Sequence, residues 1–275
     1  LHLGLVGILC LSGLLPTVSA SQQAAPADHR PATDSLHEIL QHLEDNLSDY
    51  LANVPSLFCD EHVVSDIDLP NRKRIFRTTT DSVFSLRRST EKPQTFKESR
   101  EVRRVNGVPA GGGTLRGPAV FTGAFSGALS VVSLKMSRCY DYTLETSGQL
   151  GDTPVIAISY AIRRGALADR TCPGPERESG RAWIDPLTFH LLRIEMRTPN
   201  HKMDPGTLAL WTWAVDYAPV TLDNKQFWMP KTISTKALAN DIPVSWSFSG
   251  DYSNYHKLTV KSHIITDVGD DPQPR

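Results

Sequence analysis

From Leu36 to Leu51 apolar residues return every three or four positions: Leu36, Ile39, Leu40, Leu43, Leu47, Tyr50 and Leu51. That spacing gathers them into one stripe of an α-helix. Ser35 and Glu38 predict a capping box at its start, in which hydroxyl and carboxylate each satisfy an orphan backbone donor. Pro55 stops it. Beyond Pro55 the period shifts from 3.6 to 2. In Val244–Tyr252, Trp246, Phe248 and Tyr252 point one way and Ser245, Ser247, Ser249 and Asp251 the other. The segment 208–217 puts Trp211, Trp213, Val215 and Tyr217 on one face. Leu192, Ile194 and Met196 alternate with Arg193, Glu195 and Arg197, and Tyr140, Tyr142 and Leu144 alternate with Cys139, Asp141 and Glu145. Further strands are expected at 74–80, 83–88, 95–105, 155–162, 181–185, 225–236 and 257–265, with a tight turn at Asn106-Gly107.

Strands with one apolar face pair antiparallel, and neither a βαβ rhythm nor a repeat is present. The predicted fold is mainly β with an α+β arrangement. It is a strongly bent antiparallel sheet, or incomplete half-barrel, with a long N-terminal helix and a short central helical lid. One continuous domain is expected over 34–266, after a flexible linker at 21–33 and before a disordered tail at 267–275.

The segment before the linker changes the compartment. An apolar run from Leu3 to Leu15 is followed by Pro16 and then Val18-Ser19-Ala20. This is the pattern of a secretory signal peptide over 1–20, cleaved after Ala20. No other apolar stretch approaches the roughly 20 residues that span a bilayer. The expectation is a periplasmic or secreted protein with only peripheral membrane contact. Its net charge of −1 gives no reason to expect a nucleic-acid partner. In an exported chain, Cys59, Cys139 and Cys172 suggest one disulfide and one free thiol. Cys139 with Cys172 is the pairing we expect, worth roughly 3–4 kcal/mol on a chain-entropy model, with Cys59 as a small buried hydrophobe.

Candidate chemistry is sparse. The stretch GGGTLRGPAVFTGAFSGALS, residues 111–130, has the glycine density of a phosphate loop. No lysine follows, however, and no buried strand precedes it. It reads instead as a linker, followed by a short element opened by Pro118. There Val120, Phe121, Ala124, Phe125, Ala128 and Leu129 form an apolar face, either packed core or a movable plug. Pro118, Phe121, Phe125 and Leu129 are its candidate lid residues. Ser126 is misplaced for a nucleophile elbow, which needs Gly-x-Ser-x-Gly. His37 and His42 stand five apart, not the four that would aim two imidazoles at one metal. Asp66 and Asp68 read as turn residues. No catalytic residue, metal site or cofactor is predicted. Residues 72–104 hold eleven lysines and arginines against four acids. This set reads as solvated edge strands protected against aggregation, or as a surface for an anionic head group or acidic partner.

Gly180-Arg-Ala-Trp-Ile-Asp-Pro-Leu-Thr188, followed by Leu191-Leu-Arg-Ile-Glu195, resembles a pattern of the LolA/LolB-like outer-membrane lipoprotein-sorting proteins. Asp216-Tyr217 and Phe227-Trp-Met-Pro-Lys231 continue it, while the middle region looks more like a set of uncharacterised exported bacterial proteins. The resemblance covers roughly 180–265, and 35–90 loosely. It implies an incomplete antiparallel barrel around an apolar cavity, capped by helices, that carries a lipid or lipoprotein acyl chain across the periplasm. On that reading Trp183, Trp211, Trp213, Trp246, Phe248 and Tyr252 line the ligand cavity. The alternatives are an envelope scaffold or protein-interaction module of the same fold with a filled core, and a hydrolase whose site assembles only in space.

Overall fold

The computed structural model describes residues 35–69, 74–92, 95–111, 123–146, 148–169, 171–172, 176–203 and 206–259. The expected signal peptide, linker and tail, and the lid residues Pro118 and Phe121, lie outside them.

Helix α1 (Leu36–Asn53) opens with the predicted box. The Ser35 backbone N–H donates to the Glu38 carboxylate at 2.7 Å, and the Glu38 N–H donates to the Ser35 hydroxyl at 3.3 Å. Its other end has a cap that the local sequence does not announce. The Arg88 guanidinium donates to the carbonyls of Leu51 and Val54 at 2.7 and 2.5 Å. A cation there satisfies orphan carbonyls and complements the negative end of the helix dipole.

Twelve strands follow: β1 (Leu57–Leu69), β2 (Arg74–Arg88), β3 (Phe96–Val105), β4 (Val108–Pro109), β5 (Tyr140–Leu144), β6 (Gly148–Leu150), β7 (Thr153–Ile162), β8 (Ser179–Ile184), β9 (Leu191–Lys202), β10 (Leu208–Leu222), β11 (Lys225–Ala239) and β12 (Ser245–Lys257). All pair antiparallel in one open sheet, ordered β4-β3-β2-β1-β12-β11-β10-β9-β8-β7-β5, with β6 beside β7. The expected fold class is therefore present, and β1 and β12 join the front of the chain to its back. Between β4 and β5 lie α2 (Gly127–Ser130) and a 3-10 turn at Leu134–Arg138. The central element is thus a single helical turn among the described residues, since its glycines disfavour a longer helix.

Several boundaries differ from the pattern reading. The two short strands expected within 74–88 are one strand; β12 runs from Ser245 to Lys257, and most of the strand expected at 257–265 lies outside the described residues. The turn assigned to Asp66 and Asp68 is instead part of β1, where Asp66 pairs with Arg77 across to β2. The reason is chemical. The buried face of β1 reads Leu57, Cys59, Glu61, Val63, Ser65, so two polar residues interrupt its apolar alternation. Asn106-Gly107 makes the predicted turn, with both residues at positive φ.

The helix docks on the apolar face through the motif that carried the family resemblance. Asp185 accepts from the backbone N–H groups of Leu187 and Thr188, folding 185–190 into a tight turn. Asn46 of α1 donates to the carbonyls of Thr188 and Phe189, and His42 stacks on Phe189 at 4.3 Å. Cys139 and Cys172 are bridged, with Cα atoms 5.5 Å apart, and Cys59 is free and buried.

Candidate functional site

Register decides which predicted wall residues meet. Reading across the sheet, Ser65, Phe248, Thr235, Trp213, Met196, Gly180 and Tyr160 are successive partners from β1 to β7. Trp211 and Trp246 lie on the same face one step along their strands, and Tyr252 two steps the other way. Gly180 is required in this row. A Cβ there would lie 2.0 Å from the Glu195 carbonyl and 2.3 Å from the Tyr160 hydroxyl, which donates to that carbonyl.

Trp183 is the correction. In β8, Ala182 and Ile184 enter the core, so Trp183 between them faces the other side of the sheet, because one residue along a strand reverses the side chain. It packs with Val155 and Ala157 in a separate small cluster, and the guanidinium groups of Arg181 and Arg193 lie 5.0 and 5.9 Å from its ring. The run Ala-Trp-Ile is apolar throughout, so alternation could not assign its faces.

The aromatic face is occupied. Phe125, only 1% exposed, stacks on Phe84 at 4.4 Å and meets Tyr252 edge-on at 5.4 Å. Hydrogen bonds to three different strands hold its segment. The Tyr217 hydroxyl donates to the Ala124 carbonyl, the Gly123 N–H is shared between both Glu98 oxygens at 3.1 Å, and the Tyr142 hydroxyl donates to the Val131 carbonyl. Further on, the Lys135 N–H donates to Glu44 of α1, and Lys135 Nζ pairs with the same carboxylate. Burial raises the Glu98 carboxyl above its ordinary range. Leu129 lines a pocket of about 60 Å³ between α1 and the sheet, room for about two waters.

Beneath Phe125 lies a buried polar group that pattern reading did not find. Glu61, 2% exposed, accepts from Arg100 at 2.8 Å and from the Tyr252 hydroxyl at 2.7 Å, and the Arg100 guanidinium lies 4.8 Å from the Phe84 ring centre. Burial raises the Tyr252 hydroxyl and pushes the nearby Cys59 thiol up to about 12, which disfavours its thiolate form. The basic segment 72–104 is partly used internally: Arg77 pairs with Asp66, Arg88 caps α1 and Arg100 pairs with Glu61.

On the opposite, polar face the sheet curls into a groove of about 1090 Å³, reaching from Arg77 of β2 to Asp141 of β5. Among the described residues no group of three or more His, Cys, Asp or Glu is arranged to hold a metal, and no helix is long and apolar enough to cross a membrane.

No known protein family matches the chain, and no curated protein does. Solved structures are similar to it at low identity. One is a domain described as an outer membrane lipoprotein-sorting protein from Vibrio parahaemolyticus: TM-score 0.37, 9% identity, covering 85% of this chain and 95% of that one. Another is a LolA superfamily protein from Nitrosomonas europaea, at 0.34 and 10%, covering 83% and 96%. A third is a DUF1329 family protein from Desulfovibrio piger, at 0.35 and 11%, covering 80% and 93%.

Proposed function

We propose that this protein is an exported, non-enzymatic carrier of an apolar or acyl-chain ligand, taken up on the aromatic face of its sheet. In this reading the mature chain begins at Ser21, works in the periplasm and folds as one domain over 34–266. The arrangement described above is its closed state. The observation that supports it is the seat of Phe125. A large ring on a segment with only one helical turn fills the centre of the aromatic face, and glycines flank it. Gly123 sits at φ +84°, a conformation open to glycine at no steric cost, and Gly127 begins the helical turn. Swinging Gly123–Val132 away would bare Phe84, Tyr252 and Tyr255, the rings that Phe125 packs against, on the face that also carries Phe248 and Trp213, an apolar strip suited to an acyl chain. The ligand class rests on that strip and on the resemblance of residues 180–195 to lipoprotein-sorting proteins.

A filled-core envelope scaffold, binding a protein partner, is the second reading. The small volume left between α1 and the sheet favours it. Native mass spectrometry of residues 21–275, purified gently from a bacterial periplasm, separates the two. The carrier reading expects a stoichiometric acyl-chain adduct, greater in Phe125→Ala and lost in Trp246→Glu. A bare mass for every form, unchanged after incubation with lipids and lipopeptides, overturns it. Trp246 is the better probe than Trp213, because Trp213 is buried in the core and a charge there would unfold the sheet.

A further inference from the structure

We propose that the polar face of the sheet carries a second site, independent of the aromatic one, for a phosphate-ester anion on a hydroxylated carrier, seated over Thr212 between Lys236 and Arg197. The groove of about 1090 Å³ has the size of a ligand site. It is hollow because its floor is small. Ser249, Ser234 and Ala214 are direct cross-strand neighbours on β12, β11 and β10, and Ser247 and Thr212 adjoin them. A floor of hydroxyls offers donors and acceptors to a polyol.

Charge placement selects the anion. Three carboxylates line the groove and all are in ion pairs with arginine. Asp66 is held by Arg77 at 2.8 and 2.7 Å, Glu195 by Arg193 at 2.8 Å, and Asp141 by Arg163 at 2.8 Å. Arg193 also holds Asp216 at 2.6 Å, and Arg181 pairs with Glu145. Two cations remain. Lys236 and Arg197 line the groove, and neither side chain has an ion pair or hydrogen bond among the described residues. Each stands directly opposite Thr212, one on either flanking strand. With strands roughly 4.8 Å apart, their backbones are roughly 10 Å apart, a span that two long side chains close around one anion. Like charges set this way oppose each other until an anion lies between them.

The same chemistry arrives as a soluble phosphate ester or as a lipid head group, so the test has two arms. Glycerol 3-phosphate is titrated by calorimetry, and phosphatidylglycerol vesicles are compared with phosphatidylcholine vesicles in co-flotation, both with residues 21–275. Binding in either arm supports the site and names its source, provided Lys236→Gln and Arg197→Gln each weaken it by about tenfold and Ser234→Phe, which fills the floor, abolishes it. All three positions are exposed on the polar face, so folding is preserved, as circular dichroism would verify. Acyl-chain capture at the aromatic face is expected to survive these changes. No binding in either arm, or equal binding by the Lys236→Gln/Arg197→Gln double variant, overturns the proposal.

Discussion

Phe125→Ala separates a movable plug from ordinary core. Removing a fully buried phenylalanine costs about 3–5 kcal/mol when the residue belongs to a cooperative core, and the stacked contact with Phe84 at 4.4 Å places this one toward the upper end. If Gly123–Val132 opens on its own, that loss has a ceiling. The variant cannot fall further than the free energy of the locally opened state, because the sheet and α1 stay folded without the plug. Urea unfolding should then register less than about 3 kcal/mol, with the slope of the transition nearly unchanged. Hydrogen exchange should show the rest. Amides at Gly123–Val132 are expected to exchange roughly a hundredfold faster, as about 3 kcal/mol implies, while Val215, Ile194 and Ile233 in the sheet stay protected. A full loss of about 3–5 kcal/mol, with exchange rising equally in β9, β10 and β11, would mean that Gly123–Val132 has no opening of its own. Phe125 would then be a core residue like any other.

Four further outcomes follow from other contacts in the fold. Arg88→Ala frees the carbonyls of Leu51 and Val54 at the end of α1 and should cost about 2 kcal/mol in urea unfolding, with earlier exchange at 50–54. Reducing Cys139–Cys172 should remove roughly 3–4 kcal/mol, while Cys59 in the folded protein should resist alkylation at pH 8, being buried with its thiol pushed up to about 12. Glu98 has a raised carboxyl in the folded state, so it binds its proton more tightly folded than unfolded; its contribution is present below about pH 4 and is lost as pH rises through the raised value. Wild-type stability relative to Glu98→Gln should therefore fall across that window, and a difference flat with pH would remove Glu98 from the account.

Helix α1 was legible because every signal agreed: stripe, capping box and a proline stop. The strands whose outward residues are charged or hydroxylated, β9 to β12, were legible for the same reason. β1 was not, because its core face includes Glu61 and Ser65, and a buried carboxylate is acceptable only through Arg100 and Tyr252, which are distant in sequence. The turn at Asp185–His190 was recognised as a motif, yet its work, docking Asn46 and His42 of α1, became visible only in three dimensions. The same holds for the plug. Nothing near Phe125 in the chain announces Phe84 or Tyr252, and the residues that hold its segment, Glu98, Tyr142 and Tyr217, come from three different strands. The pairing of Cys139 with Cys172 was readable because few partners were available.

The most direct test of the central claim is quenching of tryptophan fluorescence by a brominated acyl chain, measured in wild-type protein and in single Trp→Phe variants. Bromine quenches only at close range, and the tryptophans divide by face. Quenching should fall in Trp246→Phe and Trp213→Phe and be unaltered in Trp183→Phe, since Trp183 faces the other side of the sheet. Quenching that depends on Trp183 alone, or none at saturating lipid even in Phe125→Ala, would contradict acyl-chain carriage on the aromatic face.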